Sequence, residues 1–165
     1  MFLDESGINT DMTSRYGRSK GKVRVVDSVP LNTPQSTTLF SSIRLDGGTV
    51  SVAFEGALKK ERFLEYLRDH LIPNLRKGDY VVMDNLSSHK VEGVSKLIHL
   101  AGAHLLYLPP YSPDLNPIEK MWSKIKAYFR RQKLRTRELL LEALPSAFAS
   151  VTPSDCRGWF TSCGY

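Results

Sequence analysis

Two short apolar runs constrain the fold of this chain more than any other feature. One is YVVM at 80–83, the other HLLYL at 104–108, and each follows a segment with helical periodicity. Runs this short, set between helix patterns, predict parallel strands covered on both faces. Ahead of the first run, Phe63, Tyr66, Leu67, His70 and Leu71 recur at i, i+3, i+4, i+7 and i+8, with Pro73 and Gly78 as the stop. Between the runs, Val91, Val94, Leu97, Ile98 and Ala101 form the inward face of a second helix that Gly102 ends.

The first half reads as strands. Phe2 and Leu3 open a short one over about 1–8, and KVRVVDSV at 22–29 is β-branched and expected to be extended. STTLFSSIRL at 36–45 and TVSVAF at 49–54 flank Asp46-Gly47-Gly48, a hairpin signal. An antiparallel hairpin joined to βαβ units predicts an α/β domain with a central mixed sheet and helices packed on it, in which the first strand and YVVM are neighbours. Further on, Ile118, Met121, Trp122, Ile125 and Phe129 form one apolar stripe, which makes Trp122 a core residue rather than a base-stacking platform. Leu139, Leu140, Ala143 and Leu144 suggest another helix, bent or ended near Pro145, and Thr152-Pro153-Ser154-Asp155 reads as a capping box opening a last one.

At 165 residues the chain is expected to be one domain. It holds no apolar run long enough to span a membrane, and its start lacks the pattern of a signal peptide, so the cytoplasm is the expected compartment. Cys156 and Cys163 have no histidine near them in sequence and read as small apolar residues, not zinc ligands. The formal net charge is +6. Lys120, Lys124, Lys126, Arg130, Arg131, Lys133, Arg135 and Arg137 follow one another with no acid between them, and Arg15, Arg18, Lys20, Lys22 and Arg24 form a second basic stretch. A solvated helix face usually mixes signs, so the single-sign stripe favours a polyanion such as the phosphate backbone of DNA.

Three acids stand at telling positions. Glu119 follows Asn116 and Pro117, which makes a capping box its simplest role, with the glutamate folded back on the Asn116 N–H. Asp84 ends YVVM, where α/β sites usually lie, although Asp-Asn after a strand is also a common turn. Asp4 follows Phe2 and Leu3 and either begins a loop or projects from the first strand. If the first strand and YVVM are adjacent, Asp4 and Asp84 meet across the sheet, and Glu119 enters from the margin of the Ile118 stripe. Three convergent carboxylates would repel unless a hard divalent cation such as Mg²⁺ or Mn²⁺ joined them. A pair of such ions suits in-line phosphoryl chemistry.

FLDES, VVMDNLSSHK and YLPPYSPDLNPIEKMWSKIK together resemble the catalytic domain of bacterial insertion-sequence transposases of the mariner superfamily. The resemblance runs over nearly the whole chain and implies a ribonuclease-H-like fold, a mixed five-stranded sheet flanked by helices. Its core would span about 1–131, with a helical extension over about 132–165. It implies that Asp4, Asp84 and Glu119 are the catalytic, metal-binding triad, with Asn85 and His89 as accessory residues. His89 would contact a phosphate, orient Asp84, or serve only the loop. The expected cofactor is Mg²⁺ or Mn²⁺, two ions, and the expected partners are transposon-end and target DNA. Lys120, Lys124, Lys126, Arg130, Arg131 and Lys133 would carry the DNA. A homo-oligomer is expected in the synaptic complex. So is a helix-turn-helix reader on a separate subunit or upstream frame, because Met1 lies only three residues before Asp4. The competing readings are an inactive fragment that only binds DNA or partner subunits, and a different ribonuclease-H-like nuclease.

Overall fold

The computed structural model of the chain describes residues 1–14, 16–21, 23–31, 35–56, 60–85 and 93–165. Five strands form one sheet: β1 (Phe2–Asn9), β2 (Ser36–Ile43), β3 (Thr49–Glu55), β4 (Tyr80–Met83) and β5 (His104–Tyr107). Their order is β3-β2-β1-β4-β5. The β1–β2 and β2–β3 pairs are antiparallel, whereas β1–β4 and β4–β5 are parallel. The hairpin between β2 and β3 turns where the sequence places it, with Gly47 at φ 93° and the Gly48 N–H donating to Asp46 Oδ1. A left-handed φ of that kind strongly favours glycine.

Among the described residues, five α-helices cover the sheet: α1 (Lys60–Tyr66), α2 (Val94–Leu100), α3 (Pro117–Gln132), α4 (Arg137–Ala149) and α5 (Pro153–Ser162). Strand alternation divides the core in two. Phe2 and Ile8 of β1, with Leu39 and Ile43 of β2, pack under the Ile118, Met121, Trp122, Ile125 and Phe129 stripe of α3 and under α4 and α5. Leu3 and Phe40 face the other way, against Phe63 and Tyr66 of α1, the π-helical turn Leu67–Leu71 that continues it, and Val94 and Ile98 of α2. Trp122 and both cysteines are buried, the cysteines unbonded to each other.

Several expectations need correction. No strand forms over 23–29. Val23, Val25, Val26 and Val29 are exposed, because β-branched composition favours a strand only where a neighbouring strand and a core face receive it. β5 is an edge strand rather than a buried one, with Leu106 and Tyr107 open to solvent. His70 is exposed, since the π-helical turn rotates it off the inward face. Of the two outcomes expected at Pro145, a bend or an end, the end does not occur, because helix α4 passes through it. Proline costs a helix one donor to the residue four before it, here Leu141, and packing of Leu140, Ala143, Leu144 and Phe148 on the core holds the helix together. Leu139 lies on its outer side. Val91 and Lys22 fall outside the described residues, and among those described no helix is long and apolar enough to cross a membrane.

Candidate active site

The site lies where β4 stops and β1 runs on. Parallel pairing joins Phe2 to Val82 and Leu3 to Met83, so the next residues, Asp4 and Asp84, leave the ladder side by side. Asp4 is neither in a loop nor on the surface: it is in β1 and only 5% exposed. Its side chain shares the α3-facing side with Phe2 and Ile8, because side chains two apart on a strand share a face. Its Oδ1 accepts from the Glu5 N–H at 2.8 Å, and its Oδ2 faces Asn116 Nδ2 at 3.5 Å.

Asn116 occupies the N-cap position of α3 but does not cap it with its side chain. The expected capping box is absent. Glu119 N–H bonds the Asn116 carbonyl, and Asn116 N–H bonds the Pro113 carbonyl of a 3₁₀ turn. This turn satisfies the backbone that Glu119 was expected to serve, which leaves the glutamate free to project outward. The prolines that precede it set up this entry, and Tyr111 between them adopts φ 55°, an uncommon left-handed conformation for a bulky residue.

Asp84, Asn85, Asn116 and Glu119 line one cavity of about 290 Å³, walled on the far side by the 108–113 segment. Asp4 does not line it but faces Asn116, which does, and burial pushes its carboxyl up to about 8, aided by the negative charge of Glu119 and, more weakly, of Glu5 and Asp84. The Glu5 amide hydrogen bond opposes this shift. Asp4 is therefore within electrostatic reach of both other predicted acids, and those two share the cavity. They do not close into a cage: among the described residues no three His, Cys, Asp or Glu side chains are placed to hold one ion. His89 lies outside the described residues.

The donor set is wholly oxygen. Asn85 Oδ1 and Asn116 Oδ1 are buried without a hydrogen-bond donor among the described residues, and Asp4 is pressed toward keeping a proton. A hard divalent cation fits this chemistry better than a soft one. Asn116 is the residue that sequence reasoning missed. Its cap position was visible, but its aim at Asp4, far away in the chain, was not.

The basic stripe divides. Lys120 Nζ donates to Ser162 Oγ, and Lys124 Nζ pairs with Asp155 at 2.6 Å, so both dock α5 instead of facing outward. Lys133 pairs with Asp27 at 2.6 Å, and Arg135 donates to the Met12 carbonyl at 3.1 Å. Arg137 pairs with Glu55 at 3.2 Å. Of the predicted DNA-carrying residues, Lys126 and Arg130 instead line a second cavity beside β1, and Arg131 is exposed.

A mixed sheet in this order, with acids gathered at the end of its parallel strand, defines a ribonuclease-H-like α/β domain. Residues 1–141 match the family of DDE superfamily endonucleases, and the chain belongs to that family. Its fold is that of the Mos1 transposase paired-end complex with the left transposon end, at 16% identity and a TM-score of 0.76 over 98% of this chain and 51% of that one. The Mos1 mariner paired-end complex with Mg matches at 18% identity and a TM-score of 0.70, over 98% of this chain and 50% of that one. The catalytic domain of Mos1 mariner transposase matches at 14% identity and a TM-score of 0.68, over 98% of this chain and 76% of that one. The chain thus spans about half the length of the longer Mos1 chains it resembles. A comparison with curated proteins finds no match.

Proposed function

We propose that this chain is the catalytic part of a transposase, cutting a DNA phosphodiester at transposon ends and joining the freed 3′-hydroxyl to target DNA. The observation that carries the reading is geometric: Asp4 is buried in β1, level with Asp84 at the end of β4, beneath the helix whose first turn carries Glu119. Asp4, Asp84 and Glu119 would hold Mg²⁺ or Mn²⁺, two ions in the form suited to phosphoryl transfer. When bound, such ions supply the charge that activates the attacking oxygen and stabilises the leaving one. The chain's own part is positional. The Glu5 amide and Asn116 fix Asp4, the end of β4 fixes Asp84, and the first turn of α3 presents Glu119 across the cavity.

In cleavage, water attacks phosphorus, and the bond to the 3′ oxygen breaks to leave a 3′-hydroxyl. In strand transfer that hydroxyl attacks a second phosphodiester and releases one DNA end, so the number of phosphodiester bonds is conserved. The Mos1 complexes with paired transposon ends, with Mg and with Mn support this reading. Pairing two ends calls for at least two catalytic chains, so we infer a homo-oligomer that works with a helix-turn-helix end reader in the cytoplasm.

The test is incubation of the chain with duplex DNA and Mn²⁺. Scission abolished by chelation and by Asp84→Asn is the expected result. Scission that survives either change overturns the reading. Salt-sensitive binding without scission by the unaltered chain marks it instead as a DNA-binding fragment.

A further inference from the structure

The face of α3 that carries Glu119 continues beyond the acids. Positions seven and eleven further on return to nearly the same side of a helix with 3.6 residues per turn. They are Lys126 and Arg130. Both are half-buried, and both line a cavity of about 470 Å³ together with Gly7, Asn9 and Asp11. The β1 wall of this cavity is the part of the strand beyond its pairing with β4, which stops at Leu3. The two walls keep step. Five residues of strand from Asp4 to Asn9 advance about 16.5 Å at about 3.3 Å each. Eleven residues of helix from Glu119 to Arg130 advance about 16.5 Å at about 1.5 Å each. The acids and the second cavity therefore lie along the same side of α3, flanked by the part of β1 beyond β4.

The charge of that cavity fits it to an anion. Among its described lining residues two cations face one carboxylate, Asp11, leaving a single positive charge to match one phosphodiester.

We propose that this cavity seats one backbone phosphate of the DNA strand being cut. Lys126 and Arg130 lie about 10.5 and 16.5 Å along α3 from Glu119. At about 3.4 Å per nucleotide along a duplex, that is about three to five nucleotides from the scissile phosphate. The cavity thereby sets which phosphodiester reaches the acids. This rests on the reading of the chain as a DNA-cutting enzyme.

The experiment is a salt titration of binding to a short fluorescent DNA duplex, read by anisotropy, beside the Mn²⁺-dependent cleavage assay. The double variant Lys126→Gln/Arg130→Gln is expected to flatten the slope of log K against log salt by about 0.9, the loss of one phosphate contact. Lys120→Gln, whose amine is turned to α5, leaves the slope unchanged. Asp11→Asn strengthens binding. An unchanged slope in the double variant, or an equal loss in Lys120→Gln, overturns the proposal. Unaltered cleavage with an unchanged slope sinks the phosphate seat alone. A flattened slope in the double variant, with no metal-dependent scission by the unaltered chain, supports the seat and overturns the enzymatic reading. A chain that binds no duplex at low salt overturns both.

Discussion

Asp4 shows how one buried carboxyl ties stability to function. In an unfolded chain it would titrate near 3.8, whereas in the fold burial and the neighbouring acids raise it to about 8. Between those values the folded state binds the extra proton, so stability is full below about 3.8 and declines as pH rises through about 8. For one group the slope is about 1.4 kcal/mol per pH unit. Thermal melts in chelator from pH 5 to 8 should therefore show a falling midpoint, flattened by Asp4→Asn. Added Mg²⁺ should restore the midpoint at pH 8 in the unaltered chain but not in the variant. Asn116 is separable from this effect. Its contact with Asp4 is long, and its own Oδ1 is buried without a donor, so Asn116→Ala should leave the melt nearly unchanged. A residue that orients a metal-binding carboxylate should nonetheless weaken Mn²⁺ binding by about 10- to 100-fold, read by calorimetry without DNA.

The contact between α3 and α5 turns helix chemistry into site geometry. Thr152 and Asp155 form the capping box of α5, and the same Asp155 carboxylate receives Lys124 from α3. Those bonds hold Asp155 at about 2. Its contribution is present above about 3.8 and fades as pH falls through about 2. Asp155→Ala should cost about 0.5–2 kcal/mol of stability in urea unfolding at pH 7, the usual range for a lost cap. This box was legible because its four residues are adjacent in sequence. The α3 stripe and the β2–β3 hairpin were legible for the same reason, since period and turn chemistry are local. The destinations of the α3 lysines were not. Lys124 meets Asp155, and Lys133 meets Asp27 from far upstream, so a stripe that looks uniform in sequence is partly spent inside the molecule. β5 misled in a related way. An apolar run reports that a strand is favourable, but whether anything covers it depends on its place in the sheet order.

At the scale of the molecule, the segment beyond α3 belongs to the core and positions the acids. α4 and α5 place Leu140, Ala147, Cys156 and Phe160 in the same cluster as Phe2, Ile8 and Trp122. Phe2, two residues before Asp4 and on the same strand face, has Phe160 at 5.4 Å and Tyr165 at 4.9 Å between ring centroids. The Tyr165 hydroxyl donates to the Leu115 carbonyl at 3.0 Å, on the turn that leads into α3. One residue thus braces both the strand of Asp4 and the helix of Glu119. Removal of residues 133–165 would uncover the part of this cluster that α4 and α5 cover. At about 1.5–3 kcal/mol for each large side chain exposed, losing even four such burials approaches the whole stability of a domain, about 5–15 kcal/mol. The shortened chain should keep helical far-ultraviolet dichroism, bind a hydrophobic dye and lose its cooperative melt. Tyr165→Phe tests the brace without opening the core. It should retain the melt to within about 1.5 kcal/mol, the net worth of one hydrogen bond, while metal-dependent cleavage falls because the start of α3 is freed. A cooperative melt in the shortened chain would show that the sheet, α1, α2 and α3 stand alone and that the later helices are an appendage.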